Sequence, residues 1–201
     1  QTLRDAQFLS RTRDLLSRSI SRLSSGSRNV SASDDPAGTS LAAKLSAQNL
    51  RIGAAATNVQ NAVSFVQSVD GFLAGMGDLH NRMSELAILA KDPMKNAGDI
   101  ALYQEEFSQL QTQIRTTIGG STAEIGGTSA IAKPMGSFNG KVLFGANPSG
   151  TVIATGQAAT QRLTIPETNL RDGAMLQVFQ QDAAGAFTLD VTDPTAIDTI
   201  T

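Results

Sequence analysis

Cysteine and tryptophan are both missing from the 201 residues, tyrosine occurs once, and aromatic residues make up only 4%. Without cysteine there are no disulfide staples, no zinc–thiolate sites and no thiol nucleophile, and the redox compartment stays open. A core short of aromatic bulk must pack Ala, Leu, Val and Ile, which suits helix seams better than a globular centre. The one histidine, His80, has no cysteine to join it in a transition-metal site. Strong charge of either sign is also lacking: the net charge of −2 gives no electrostatic footprint for nucleic acid. Arg11, Arg13, Arg18, Arg22 and Arg28 form only a mild cluster, interrupted by Ser and acidic residues, which reads as a solvated helix face. No apolar run approaches the ~20 residues of a membrane span, so no membrane insertion is expected. The first residues carry no charged-then-apolar signal-peptide pattern.

What is present falls into two regimes that meet near Ile118. Before it the chain is rich in Ala, Leu, Ser and Gln with helical periodicity; after it Gly, Thr and turn signals dominate. Leu9, Leu16 and Leu23 recur every seven residues with Ala6 and Ile20 in the alternate slots, predicting a helix over 2–24 with a coiled-coil-like seam. Gly26 ends it. Asp35 is placed to cap the next helix and Pro36 suits its first turn. From Leu41 through Ile52, Val59, Val66, Val69, Leu73, Met76 and Met83 to Ala87 the apolar residues sit three, four or seven apart. A continuous helix to Ala90 spans about 55 residues, roughly 80 Å at 1.5 Å per residue. Gly53, Gly71, Gly75 and Gly77 inside it each cost up to ~1 kcal/mol relative to Ala and read as places of close helix approach, with a bend near 71–77. Pro93 stops the helix. A third helix is predicted over 99–118, with Tyr103, Phe107, Leu110, Ile114 and Ile118 as its buried stripe and Gly119-Gly120 at its end. The short connection makes the second and third helices an antiparallel hairpin.

Beyond it, residues 119–132 have no clear period and read as a loop or insertion. Strands are expected at 141–144, 151–154, 162–165, 175–180 and 186–191, the last on the alternation of Phe187, Leu189 and Val191. Of the turn dipeptides Asn139-Gly140 and Asp172-Gly173, the second is the more cleanly placed between strand-like runs. The fold class is therefore mainly α with a small β part (α+β): an elongated antiparallel helical rod, coiled-coil-like, followed by short β-hairpins. Its expected divisions are residues 1–35, an axial-type helix and connector; 36–137, a rod domain; and 138–201, a β-hairpin region.

No enzyme site emerges. His80 falls in the apolar stripe between Met76 and Met83 and reads as a polar interruption that sets register; no Gly-x-Ser-x-Gly elbow supplies a nucleophile for it. Asp34-Asp35 and Glu105-Glu106 are sequence neighbours, whereas glycosidase carboxylates face each other across a cleft. A helix cap and a solvated helix face account for them. The glycines contain neither a phosphate loop nor a dinucleotide fingerprint, Met76 and Met83 read as core, and no cofactor or metal is expected. A long apolar stripe without a partner stripe of its own length calls for other helices. At about 25 cal/mol per Å² left wet its exposure forfeits many kcal/mol, and a surface of that kind marks an assembly interface.

Four segments, in order, carry a resemblance. Arg22-Leu23-Ser24-Ser25-Gly26 and Asp34-Asp35-Pro36-Ala37-Gly38 resemble the N-terminal signature of bacterial flagellins, with Arg28 at the family's arginine, Asn29-Val30 in place of its hydrophobic pair and Pro36 in place of an alanine. Arg82-Met83-Ser84-Glu85-Leu86-Ala87 is similar to the family's Arg-Val-Arg-Glu-Leu-Ala, and Phe138-Asn139-Gly140 to the Phe-Asn-Gly that opens its β-region. Residues 119–137 are longer than the family's usual connection at that place. The resemblance covers roughly residues 1–145. It implies a structural subunit of the flagellar filament, extracellular, exported unfolded by flagellar type III secretion without a cleaved signal peptide. It also implies self-assembly through N-terminal helices that pair with C-terminal helices of the same chain. Implied partners are further copies of the chain, an export chaperone, cap and junction proteins, and a vertebrate Toll-like receptor. The sequence stops after Val191-Thr192-Asp193-Pro194, about where a returning helix would begin, and its start looks clipped, so a fragment that does not polymerise alone is expected.

For the receptor, the resemblance carries over Arg82, Leu86 and Glu106, with Leu86 filling a receptor pocket and the two charges around it. The simpler reading makes Leu86 core or filament contact and leaves the charges solvated. The nearest rival to a filament subunit is a hook–filament junction protein, which often has Asp-Asp-Pro at this place; Arg22-Leu23-Ser24-Ser25-Gly26 and Phe138-Asn139-Gly140 favour the filament subunit. A peptidase or glycosidase on a helical scaffold is the remote alternative.

Overall fold

The computed structural model describes residues 2–145, 150–156, 160–193 and 195–200. It is mainly helical with two small antiparallel strand pairs, as the periodicity predicts. The chain divides into two compact units, residues 1–55 and 56–201.

The first unit holds α1 (Thr2–Ser25) and the opening turns of α2 (Pro36–Ala90). Gly26 ends α1 in the left-handed region, φ +63°, which a residue without Cβ adopts at no steric cost. Asp35 then caps α2: the Gly38 N–H donates to its Oδ1 at 2.8 Å, and Asn29 Nδ2 donates to its Oδ2 at 3.5 Å. The Gly38 bond, followed by the Asn29 amide and the nearby Arg28 charge, holds the Asp35 carboxyl below its ordinary pKa. A Cβ at 38 would meet that carboxylate, so a side chain there would make the Asp35 carboxylate turn to keep the cap.

In the second unit α2 continues to Ala90, and α3 (Ala97–Ile118) follows. Asn96 caps α3, its side chain accepting from the N–H groups of Gly98 and Asp99 at 2.7 and 2.9 Å, while Asp99 reaches back to the Asn96 N–H. This reciprocal box starts the helix two residues before the predicted Asp99. Met76, Met83, Leu86 and Ala87 of α2 meet Phe107, Ile114 and Ile118 of α3 in one core. The close approach expected at the helix glycines is not made within this unit: α2 runs unbroken from Pro36 to Ala90, and a Cβ built at Gly71, Gly75 or Gly77 meets nothing within 4 Å.

The rest of the unit caps this hairpin. Residues 119–132, expected as a loop, contain the one-turn helix α4 (Thr122–Ile125), closed off by reciprocal bonds between Gly120 and Ile131 at 3.1 and 2.8 Å. β1 (Ser137–Phe138) and β2 (Lys141–Val142) pair across Asn139-Gly140, whose φ values of +49° and +77° are those of a tight hairpin turn. The strand predicted over 141–144 is thus shorter, because Leu143 and Phe144 leave it to enter the core. β3 (Thr151–Ala154) and β4 (Arg162–Ile165) pair in the register Thr151 with Ile165. Phe65 and Phe72 of α2 meet Phe138 and Phe144 edge to face, at 5.9 and 6.3 Å.

Two predicted strands are corrected. Of residues 175–180, all but the last belong to helix α5 (Gly173–Phe179), and Gln180 is its extended C-cap. Apolar Met175, Leu176, Val178 and Phe179 fall at i, i+1, i+3 and i+4, which is one helical face, and Asp172-Gly173 begins this helix instead of turning a hairpin. Residues 186–191 alternate in burial as predicted but form no strand, apart from one bridge of Phe187 to Gln181. Asp182 N–H donates to the Ala186 carbonyl and Thr188 N–H to that of Gln180, while Leu189 and Val191 bond to side chains of α3. Gln111 Nε2 donates to the carbonyls of Val178 and Leu189 at 2.8 and 3.0 Å, and Gln104 Oε1 accepts from Val191 N–H at 2.8 Å. A short α6 (Ala196–Ile200) completes the unit, with Ala196 and Ile200 buried in the core; Pro194, with which the predicted stop was marked, lies outside the described residues.

Candidate functional site

The hairpin of α2 and α3 brings Arg82 and Glu106 together. Arg82 Nε and Nη2 donate to the two oxygens of Glu106 at 2.6 and 3.0 Å, a bidentate pair across the helices. Its remaining Nη1 donates to Glu85 Oε2 at 2.7 Å, one turn along α2. The guanidinium is engaged on all its nitrogens, which raises its pKa further, first through Glu106 and then Glu85. Correspondingly the Arg82 hydrogen bond holds the Glu106 carboxyl below its ordinary value. Both side chains remain about 42% exposed, so this is a surface clamp with a planar fork matched to a carboxylate.

Leu86 stands one turn beyond Arg82 and is 0% exposed, packed in the core. Of the three residues expected at a receptor contact, the structure thus brings two together on the surface and sets the third beneath. Glu85 was missed as the second partner of Arg82; its i,i+3 spacing was the available signal. Gln104 and Gln111 were missed as well, although two amides seven residues apart on the face of Phe107 and Ile114 announce polar work inside a buried stripe. His80 is half-buried, with Nδ1 2.7 Å from the Met76 carbonyl of its own helix. Glu105 is exposed and accepts from Gln109.

The other notable surface is apolar. In the first unit Leu9, Leu16 and Leu23 stand 54%, 59% and 86% exposed, and Leu41, Leu45 and Ile52 are also open. In the second, Val59, Val63, Val66 and Leu73 of α2 are exposed at spacings of four, three and seven, a stripe separate from the buried Ala62, Met76 and Met83. No helix among the described residues is long and apolar enough to cross a membrane. No three His, Asp or Glu side chains among them gather where a metal ion could be held. A groove of about 300 Å³ lined by Asn58, Asn61, Ala62, Phe65, Phe138 and β3 contains no titratable side chain for acid–base chemistry.

Heptad stripes on the surface and an interhelical ion-pair clamp define a mainly helical protein with exposed apolar seams. The family described as the bacterial flagellin N-terminal helical region matches residues 2–123, and the chain belongs to that family. Flagellin FlaB2 of Treponema pallidum (strain Nichols) is 34% identical over 97 residues, 48% of this chain and 34% of its own. Flagellin FlaB1 of the same organism is 30% identical over 137 residues, 68% of this chain and 47% of its own. A flagellar filament 30.7 kDa core protein of Treponema maltophilum is 31% identical over 139 residues, 67% of this chain and 48% of its own. The chain therefore spans between about a third and a half of the length of these relatives.

Proposed function

We propose that this chain is the N-terminal part of a structural subunit of the bacterial flagellar filament, extracellular and without enzymatic activity, built into a polymer of its own copies. The observation that carries the reading is the pair of exposed apolar stripes on α1 and α2 in a chain of the flagellin family. Water-exposed seams at seven-residue spacing are stabilised by burial against further helices. On this reading those helices come from the C-terminal part of the same subunit and from neighbouring copies. Export runs through flagellar type III secretion without a cleaved signal, with a chaperone before assembly and cap and junction proteins at the filament ends. The residue divisions 1–35, 36–137 and 138–201 serve as axial-type, rod and β-hairpin parts in that scheme.

The test is copy number and assembly. Mass spectrometry of sheared filaments should find this chain as the dominant protein, and Leu16→Asp in the full-length protein should abolish filaments while leaving expression intact. A trace amount in sheared material would instead favour the hook–filament junction reading, to which Asp34-Asp35-Pro36 lends some support.

Recognition by a vertebrate Toll-like receptor is proposed for the face around Arg82 and Glu106. In its support, the two charges lie together on an exposed hairpin face with Leu86 directly under it, where it sets the platform rather than entering a receptor pocket. Reporter cells exposed to wild type, Arg82→Ala and Glu106→Ala should show a loss of signal of tenfold or more in both variants, on the order of a hot-spot truncation. Equal signals from all three proteins remove these residues from the contact.

A further inference from the structure

Arg115 is almost fully buried, 4% exposed, yet no carboxylate among the described residues meets it. Nη1 donates to the carbonyls of Ile125 at 2.6 Å and Phe179 at 3.3 Å, and Nη2 to those of Gly126 at 2.6 Å and Ser129 at 3.5 Å. The four hydrogens on its two terminal nitrogens thus each have a backbone carbonyl, three from the 120–131 segment and one from the end of α5. Burial alone pulls its pKa below the usual arginine value. Glycine makes the enclosure possible: Gly126 and Gly127 lie at φ +66° and +85°, and a Cβ would strike the Gln181 carbonyl from 126 and Arg115 Nη2 from 127.

From this geometry we propose that Arg115 is a latch that makes the docking of residues 120–131 and of residues 179–181 onto α3 a single event. A buried cation lacking any of its acceptors is strongly disfavoured, so neither segment gains the full benefit of docking without the other. The two are also tied to each other through the same atoms. The Ile125 carbonyl that accepts from Arg115 accepts from Gln181 N–H at 3.4 Å, and Gly126 bridges Gln181 in parallel register. Some fifty residues of chain separate the segments, so the latch closes only after both are present. Lysine cannot replace it, because an ammonium is a compact, strongly hydrated point charge whereas the guanidinium fork reaches two pairs of acceptors at once.

Hydrogen exchange on the full chain tests this. In Arg115→Lys the amides of Ile125, Ile131, Gln180 and Gln181 should all exchange about tenfold faster or more, by a common factor, while the amides of Phe107 to Gln111 in α3 keep wild-type protection. In Arg115→Ala, added guanidinium ion at millimolar concentration should restore that protection in both segments together, and urea at equal concentration should not. Gln111→Leu, which removes only the contacts to Val178 and Leu189, serves as the comparison and should leave Ile125 and Ile131 unchanged. Acceleration in one segment only, unchanged exchange in both, or a loss that extends equally through α3 overturns the latch.

Discussion

α1 and α3 are nearly equal in length, 24 and 22 residues, and both carry apolar residues at three-, four- and seven-residue spacing. In α3 the stripe of Phe107, Ile114 and Ile118 is fully buried; in α1 the stripe of Leu9, Leu16 and Leu23 is open to solvent. Among the described residues of the first unit only Ala55 is buried. Periodicity therefore states that a face wants a partner and is silent on whether the partner lies in the same chain. In the second unit the partner is local, because Pro93 and Asn96 turn the chain back on itself. In the first, the same pattern stays open to solvent.

The contrast can be broken by mutation. Phe107→Ala in the core should cost about 3–5 kcal/mol, read as a cooperative loss of thermal stability. A loss below about 1 kcal/mol would mean the second unit is far looser than its packing. Gly75→Ala, in a helix interior with open space around it, should stabilise the free chain by up to about 1 kcal/mol. Should the same change weaken filaments, the glycine is a place of close approach after all, made by a neighbouring helix and not by this chain. Leu16→Ala should change the free chain's stability by no more than about 0.5 kcal/mol, while the assembled filament dissociates more readily; a large loss in the free chain would show that α1 is already partnered within it.

The smallest effect concerns the clamp. Glu106 is held below its ordinary carboxyl value of 4.5 by Arg82, so the unfolded chain takes up its proton first as the medium is acidified. Its stabilising contribution is complete above that ordinary value and disappears as the pH falls through the lower, folded one. Melting temperatures of wild type and Glu106→Gln should differ slightly at about pH 6 and draw together as the pH falls below the ordinary carboxyl range. A gap that persists in acid would assign the difference to shape rather than charge. Since the pair is screened by solvent, high salt should narrow the gap as well.

Much of this was legible in the sequence. Helix periods, the Asp35 cap, the hairpin formed at Pro93 and two of the strands follow from local chemistry. Where the reading failed, a distant group had decided the outcome. Phe187, Leu189 and Val191 alternate as a strand does, but Leu189 bonds to Gln111 and Val191 to Gln104, more than seventy residues earlier. Met175 to Phe179 was ambiguous by length alone, and its apolar doublets tipped it to helix. Asn139-Gly140 turns a hairpin as read, whereas Asp172-Gly173 opens a helix, because Asp also suits an N-cap. Arg82 and Glu106 could be paired only through the resemblance, since twenty-four residues separate them, and the depth of Leu86 was invisible without α3.

One small feature at the head of α2 reaches further than its size. The Asp35 carboxylate occupies the space that a Cβ at position 38 would take, so any larger residue there obliges it to turn before it can hold the same N–H. How α2 begins is thus written jointly by two residues three apart, one giving the bond and the other leaving it room.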